Sequence, residues 1–303
     1  MPRYGDQVHR RVCLALLFAV TACWGISFTV IHDAVSTVSP YAFVAVRFFF
    51  SAALLLVCAP RRIFRSITRA TIRDGSVLGF FLGAGYLLQT AGIAQTTPSV
   101  AGFLTGLCVV FIPLLLHLGG RSLPAVAWIA VAVAACGLGV LTLNGGRIDV
   151  TVGTATLLAC AVAYAVQVVL TTKFSERHDL WALTWIEIVT VTILSFAVVV
   201  IRSVLEHQTV ANPMTGMGQV WLALAFTAVV CTVVAYLVMN AAQRVLSAWE
   251  AGLVFASEPV FAAGYSMATG AEPLRMRTLA GGTLILFAMV LTEWSQREKA
   301  DAV

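Results

Sequence analysis

Ten apolar stretches of about twenty residues, each long enough to cross a bilayer as a helix, follow one another along this 303-residue chain with short connections between them. They run Val12–Ile31, Tyr41–Ala59, Gly75–Ala94, Pro98–Leu118, Pro124–Leu143, Gly153–Thr172, Leu180–Ile201, Val220–Met239, Ala251–Gly270 and Thr278–Trp294. No polar region between them is long enough for a soluble domain. Only 11% of the residues are charged, about half the share in a soluble domain. Hydrocarbon forces backbone groups to bond within their own segment, so the pattern predicts an all-α polytopic membrane protein with ten transmembrane helices. The first stretch is too long and uniformly apolar for a cleaved signal, and no small-x-small site follows it, so it is expected to remain as a span.

The loops set the orientation. With the N-terminus inside, fourteen of the nineteen Lys and Arg fall on the inner side. They are Arg3, Arg10 and Arg11, then Arg61, Arg62, Arg65, Arg69 and Arg73, then Arg121, Lys173, Arg177 and Arg244, and finally Arg297 and Lys299. The outer side holds Arg147, Arg202, Arg275 and Arg277, and Arg47 lies within the second span. This is the positive-inside pattern, predicting a multi-pass protein of the cell (inner or plasma) membrane with both termini cytoplasmic. The net charge of +5 therefore reports topology and contact with the lipid bilayer, and no nucleic-acid partner is expected.

An internal repeat divides the chain into residues 1–148 and 149–303. Shifted by 140, Ala15, Leu17, Ala19 and Trp24 meet Ala155, Leu157, Ala159 and Tyr164, while Ala42, Arg47 and Leu54 meet Ala182, Glu187 and Leu194. The shift drifts to 146, where Gly106, Leu107 and Pro113 meet Gly252, Leu253 and Pro259, and to 150 near the ends, where Val140 and Leu141 meet Val290 and Leu291. Two halves of five spans must lie in opposite membrane orientations. Two inverted five-helix repeats are the plan of many secondary transporters, which bind substrate near the midplane between the halves.

The ninth span carries Glu258 near its middle, followed by Pro259. An acid in hydrocarbon is expensive and is expected to face a bundle interior or a watery cavity. Pro259 deprives the Phe255 carbonyl of its partner and is expected to kink the helix, as is Pro113 in the fourth span. Glu-Pro is thus either a functional site or a kinked packing element with a neutral acid.

Here the residues carry a family resemblance. Trp24-Gly25 in the first span, Pro40 leading to Arg47 in the second, Ser257-Glu258-Pro259-Val260-Phe261-Ala262, Gly270-Ala271-Glu272 and Gly281-Gly282 before Leu284-Ile285 together resemble the EamA domain of the drug/metabolite transporter superfamily. The resemblance covers essentially the whole chain as two copies. It implies a ten-helix, basket-like fold that moves small metabolites, often outward. Two departures stand out: Arg121 lies near where the second half has Glu272, and Tyr164-Ala165 replaces a second Trp-Gly.

Arg47 either faces an anionic substrate group or is a partly snorkelled side chain that locks helices together through carbonyls; the second reading is preferred. Glu187, with Trp185, Thr184, Thr190 and Thr192 around it in sequence, either takes up protons or is a neutral packed acid. Arg47 and Glu187 enter the membrane from opposite sides, so a direct pair between them is not expected. Softer polar residues that could line a cavity are Gln89, Thr90, Thr105, Tyr164, Gln167, Tyr236, Asn240 and Tyr265, each of which could equally make an interhelical hydrogen bond. Trp24 is a stacking or packing residue. Gly75, Gly79 and Gly83, and likewise Gly102 and Gly106, mark close helix packing.

The seven cysteines lack metal-ligand spacing and are read as small buried residues. No Walker loop or HExxH occurs, so no cofactor, metal or catalytic residue is expected. The segment Gly264–Ala268 resembles a serine elbow only superficially, and His117 is the one histidine near it in depth. The reading is a secondary transporter exporting small amphipathic metabolites such as amino acids by alternating access, the substrate class resting on the resemblance. The alternatives are broad efflux of drugs or cations with Glu258 as counter-charge, and a membrane enzyme. Oligomeric state is not readable from the sequence.

Overall fold

The computed structural model describes residues 4–96, 98–142, 151–205, 218–269 and 276–301. Arg3, Arg147, Gly270, Ala271, Glu272 and Arg275 lie outside the described residues. Among those described the elements are helical: α1 (Tyr4–Val35), α2 (Pro40–Cys58), α3 (Pro60–Ser66), α4 (Arg69–Ile93), α5 (Pro98–Gly106), α6 (Cys108–Leu118), α7 (Ala125–Thr142), α8 (Val152–Ser175), α9 (Leu180–Leu205), α10 (Gly218–Ala228), a π-helical turn (Val229–Val234), α11 (Ala235–Ala242), α12 (Ala248–Phe255), α13 (Glu258–Ala268) and α14 (Met276–Asp301). Seven described helices are long and apolar enough to cross a membrane by length and composition, and Ala125–Val140 and Leu279–Leu291 are shorter apolar helices. The ninth apolar stretch is divided between α12 and α13. The chain is a polytopic all-α membrane protein.

Local chemistry starts these helices. Pro40 and Pro60 occupy the first turns of α2 and α3, where a missing N–H costs nothing. Thr68 caps α4 by accepting from Thr71 N at 3.1 Å, and Asp179 caps α9 by accepting from Trp181 N at 3.0 Å. Helix α4 lies against α8 and α9, α2 against α9, α1 against α13 and α7 against α14. The approach of α4 to α9 depends on Gly79, where a Cβ would stand 2.5 Å from both the Glu187 carbonyl and Thr190 Cβ. Exposed apolar side chains such as Phe49, Ile193, Leu222 and Phe287 suit a surface solvated by lipid.

At the face where α1, α4, α9 and α12 begin, ion pairs tie the first half to the second. Arg10 meets Glu250 at 2.6 Å, Arg62 meets Asp179 at 3.0 Å, and His178 Nε2 lies 2.9 Å from Asp74 Oδ2.

Several elements differ from the sequence expectation. The short helix α3 was not expected; Ile63 is buried while Arg61, Arg62 and Arg65 stay exposed, the pattern of a helix lying along an interface. The fourth stretch is two helices that meet at Leu107. Not all cysteines are buried: Cys58 and Cys136 are exposed, because each lies on an outward helix face.

Candidate functional site

Three local irregularities gather the mid-membrane polar residues. The first is the break in the ninth stretch. Pro259 has no N–H for Phe255, and Ser257 sends its amide and hydroxyl to the Val254 carbonyl at 3.0 and 2.6 Å. The helix ends there and restarts at Glu258, so Pro259 sits in the first turn of α13 rather than kinking a continuous helix. Glu258 becomes the first residue of α13, where the helix dipole favours negative charge. Pro113, in contrast, lies inside α6. The two breaks fall at Leu107 and Ala256, so the prolines do not hold equivalent places and the 146-residue shift slips at this point.

The second is a glycine crossing. A Cβ on Gly25 would lie 2.5 Å from the Glu258 carbonyl and 2.7 Å from Phe261 Cβ, so only glycine lets α1 cross α13 at the break. Trp24 is thereby set beside Glu258.

The third is the π-helical turn. Its sequence VVCTVV is almost entirely β-branched, which weakens helix propensity. Ala235 N reaches Val230 O, five residues back, and the Cys231 carbonyl is released to side chains. Trp24 Nε1 takes it at 2.8 Å and Arg47 Nη2 at 3.2 Å, while Ser51 Oγ takes the Ala228 carbonyl at 3.0 Å. The first half thus grips the second through carbonyls that a regular α-helix would have used internally.

Arg47 is not snorkelled. It is 1% exposed, because α2, α4 and the π turn supply enough partners to hold it in the interior. Its Nε donates to Thr232 Oγ1 at 2.9 Å, Nη2 donates to Tyr86 OH at 3.3 Å, and the guanidinium lies 4.7 Å from the Tyr86 ring centroid. Nη1 bonds no described residue.

Seven of the nine substrate or coupling candidates line one cavity: Glu258, Trp24, Arg47, Tyr164, Gln167, Gln89 and Tyr236. Thr105 joins them, and Tyr164 OH donates to Gln89 at 3.1 Å. The Glu258 side chain makes no hydrogen bond to a described residue. Glu187 and Asn240 stand behind the wall. Glu187 Oε1 accepts from Gln167 Nε2 at 2.8 Å and Oε2 from Asn240 Nδ2 at 3.2 Å, so Glu187 and Arg47 have separate partners. Thr90 and Tyr265 are not among the lining residues. Sequence reasoning missed Tyr86, whose hydroxyl joins Arg47 to Tyr236 OH at 3.2 Å. The signal was its place three residues before Gln89, on the same helix face.

The cavity volume is about 60 Å³. Its walls carry one cation, one acid and several aromatic rings.

A cavity lined by aromatic, apolar and a few polar side chains, walled by broken helices and set in a helical shell with an apolar exterior, is the arrangement expected of a multi-pass membrane transporter. The EamA-like transporter family model matches residues 11–143 and again 151–294, and the chain belongs to that family. It is 28% identical over 277 residues to an uncharacterized transporter of Archaeoglobus fulgidus, a match spanning 91% of this chain and 83% of that one. A solved crystal structure superposes with a TM-score of 0.74, covering 95% of this chain and 98% of the other at 16% identity, which bears on the fold alone. The protein is a membrane transporter acting on a small-molecule substrate.

Proposed function

We propose that the protein is a secondary transporter that exports small amphipathic metabolites carrying both a positive and a negative charge, amino acids among them, by alternating access between two inverted five-helix repeats, residues 1–148 and 149–303. The observation that carries this reading is the pairing of two ionic groups with free valence on one aromatic-walled cavity. Arg47 Nη1 can receive a substrate carboxylate, and the Glu258 carboxylate can receive an ammonium. A pure organic cation would meet the buried Arg47 charge in the same space, which weighs against broad cation efflux. No catalytic residue or cofactor is assigned.

Alternating access is supported by the closure of one face. The pairs Arg10–Glu250, Arg62–Asp179 and His178–Asp74 all join the two repeats there. At the other end a cavity of about 730 Å³ separates the end of α1 from the start of α10. The excess of Lys and Arg beside the closed face supports placing that face, with both termini, on the cytoplasmic side of a cell membrane.

The test is counterflow in proteoliposomes against a panel of amino acids, cationic drugs and small acids. Uptake of zwitterions in preference to the other classes is expected. Uptake of cations alone would replace this reading with drug efflux. Absence of any flux together with a product formed from lipid would replace it with an enzyme.

A further inference from the structure

We propose that Glu187 is a proton-binding site, distinct from the substrate cavity, whose route to the ion-paired face runs along α8 through Thr171 and Ser175 to His178 and Asp74. Its use in coupling rests on the transport reading; the site itself does not.

Gln167, Thr171 and Ser175 recur every four residues of α8 and share one face, reaching about 12 Å along the axis. All three are buried in a helix that is otherwise mostly apolar. Gln167 Nε2 donates to Glu187 Oε1 at 2.8 Å and to Thr171 Oγ1 at 3.0 Å. After Ser175 the chain turns, and His178 stands with Nε2 2.9 Å from Asp74 Oδ2 and Nδ1 3.3 Å from Thr71 Oγ1. Gln167 and the hydroxyls of Thr171 and Ser175, at one-turn spacing, thus lead from a buried acid towards the largely buried imidazole of His178. Glu187 lies seven residues into α9, about 10 Å from that face.

Interhelical packing alone does not account for this seam. Ser175 Oγ, Asn240 Oδ1 and Gln243 Oε1 are buried there without a hydrogen-bond partner, although buried polar groups are nearly always satisfied. A proton on Glu187 resolves part of this. Once the Asn240 amide turns over, a Glu187 hydroxyl can donate to Asn240 Oδ1, so the cluster has a bonded arrangement in either state. The proton comes from water at the ion-paired face, beside His178 and Asp74, and passes by hydroxyl and water exchange.

The surroundings suit this role. The Glu187 carboxylate is faced by Gln167 from α8 and by Asn240 from α11, and its backbone carbonyl lies against Gly79 of α4. No Lys or Arg among the described residues lies within ion-pair distance of it. Around His178 stand Asp74 with its partner Arg73, Arg244 donating to the His178 carbonyl at 2.6 Å, and Arg62 on neighbouring Asp179.

The test uses the full chain in oriented proteoliposomes, with protons as the probe and no substrate. The infrared band of carboxylic C=O is followed after a pH jump applied to one face. A jump at the ion-paired face is expected to raise a band that Glu187→Gln removes and Glu258→Gln leaves. Ser175→Ala, which deletes a hydroxyl without a partner and so spares the fold, should slow its rise roughly a hundredfold without moving its midpoint, and Ser175→Thr should restore the rate. An equally fast rise in Ser175→Ala overturns the route. A response only to jumps at the other face also overturns it. A Glu187 band that responds to Na⁺ at constant pH makes the site a cation site instead. Complete absence of a Glu187-dependent band removes the proposal altogether. A failed counterflow assay with an intact, sided Glu187 band would reject the transport reading alone.

Discussion

Glu258→Gln is expected to reduce counterflow of zwitterions more than about thirtyfold at subsaturating substrate, the lower end of the 2–5 kcal/mol lost when one partner of a desolvated charge pair is removed. The cause is local. The break before Pro259 places Glu258 at the start of α13 and in the cavity wall, with no described side chain bonded to its carboxylate. The loss should appear with and without a pH gradient if the carboxylate holds the substrate ammonium. Loss of the gradient-driven gain alone would make Glu258 a coupling group. Unchanged flux under both conditions would make it structural.

Arg47→Lys is expected to lower both stability and transport, and the two effects have different origins. The guanidinium holds Thr232, Tyr86 and the freed Cys231 carbonyl at once, a geometry that an ammonium cannot reproduce. Loss of about two hydrogen bonds involving a charged group should cost on the order of 3 kcal/mol in reversible unfolding. Transport should fall further than stability explains, because the lysine also lacks the Nη1 group that bonds no described residue and is proposed to receive the substrate carboxylate. Thermal unfolding in detergent, measured beside counterflow, separates the two. A variant as stable as the parent would contradict the account of the π turn, and one that transports normally would contradict the carboxylate role.

Much of this was legible from the sequence, for physical reasons that differ by element. Hydrophobic length and charge placement identify the spans, because the bilayer penalises every exception. Trp24 and Tyr164 match across the repeat, and both line the cavity. Glu258 was legible because an acid in hydrocarbon requires an explanation. The exact response of a helix to its own sequence was less so. Pro259 gave notice of a disturbance, but whether a proline kinks a helix or starts a new one depends on Ser257 taking the Val254 carbonyl. The π turn hides in a β-branched run that reads as an ordinary apolar helix; its consequence, the Cys231 carbonyl, exists only once Trp24 and Arg47 arrive from distant segments. Tyr86 was lost among apolar neighbours, since one hydroxyl hardly changes the pattern. Helix α3 was masked by its arginines, which the positive-inside pattern already explained.

The most direct test of the central claim is whether the cavity opens to both faces in turn. Cys108 lines the cavity, so a chain retaining it with the other six cysteines replaced can report its accessibility to a membrane-impermeant methanethiosulfonate. In vesicles of known orientation, the account predicts labelling from either face, with a transported zwitterion slowing both. Labelling from one face only, at a rate the zwitterion does not change, would contradict it.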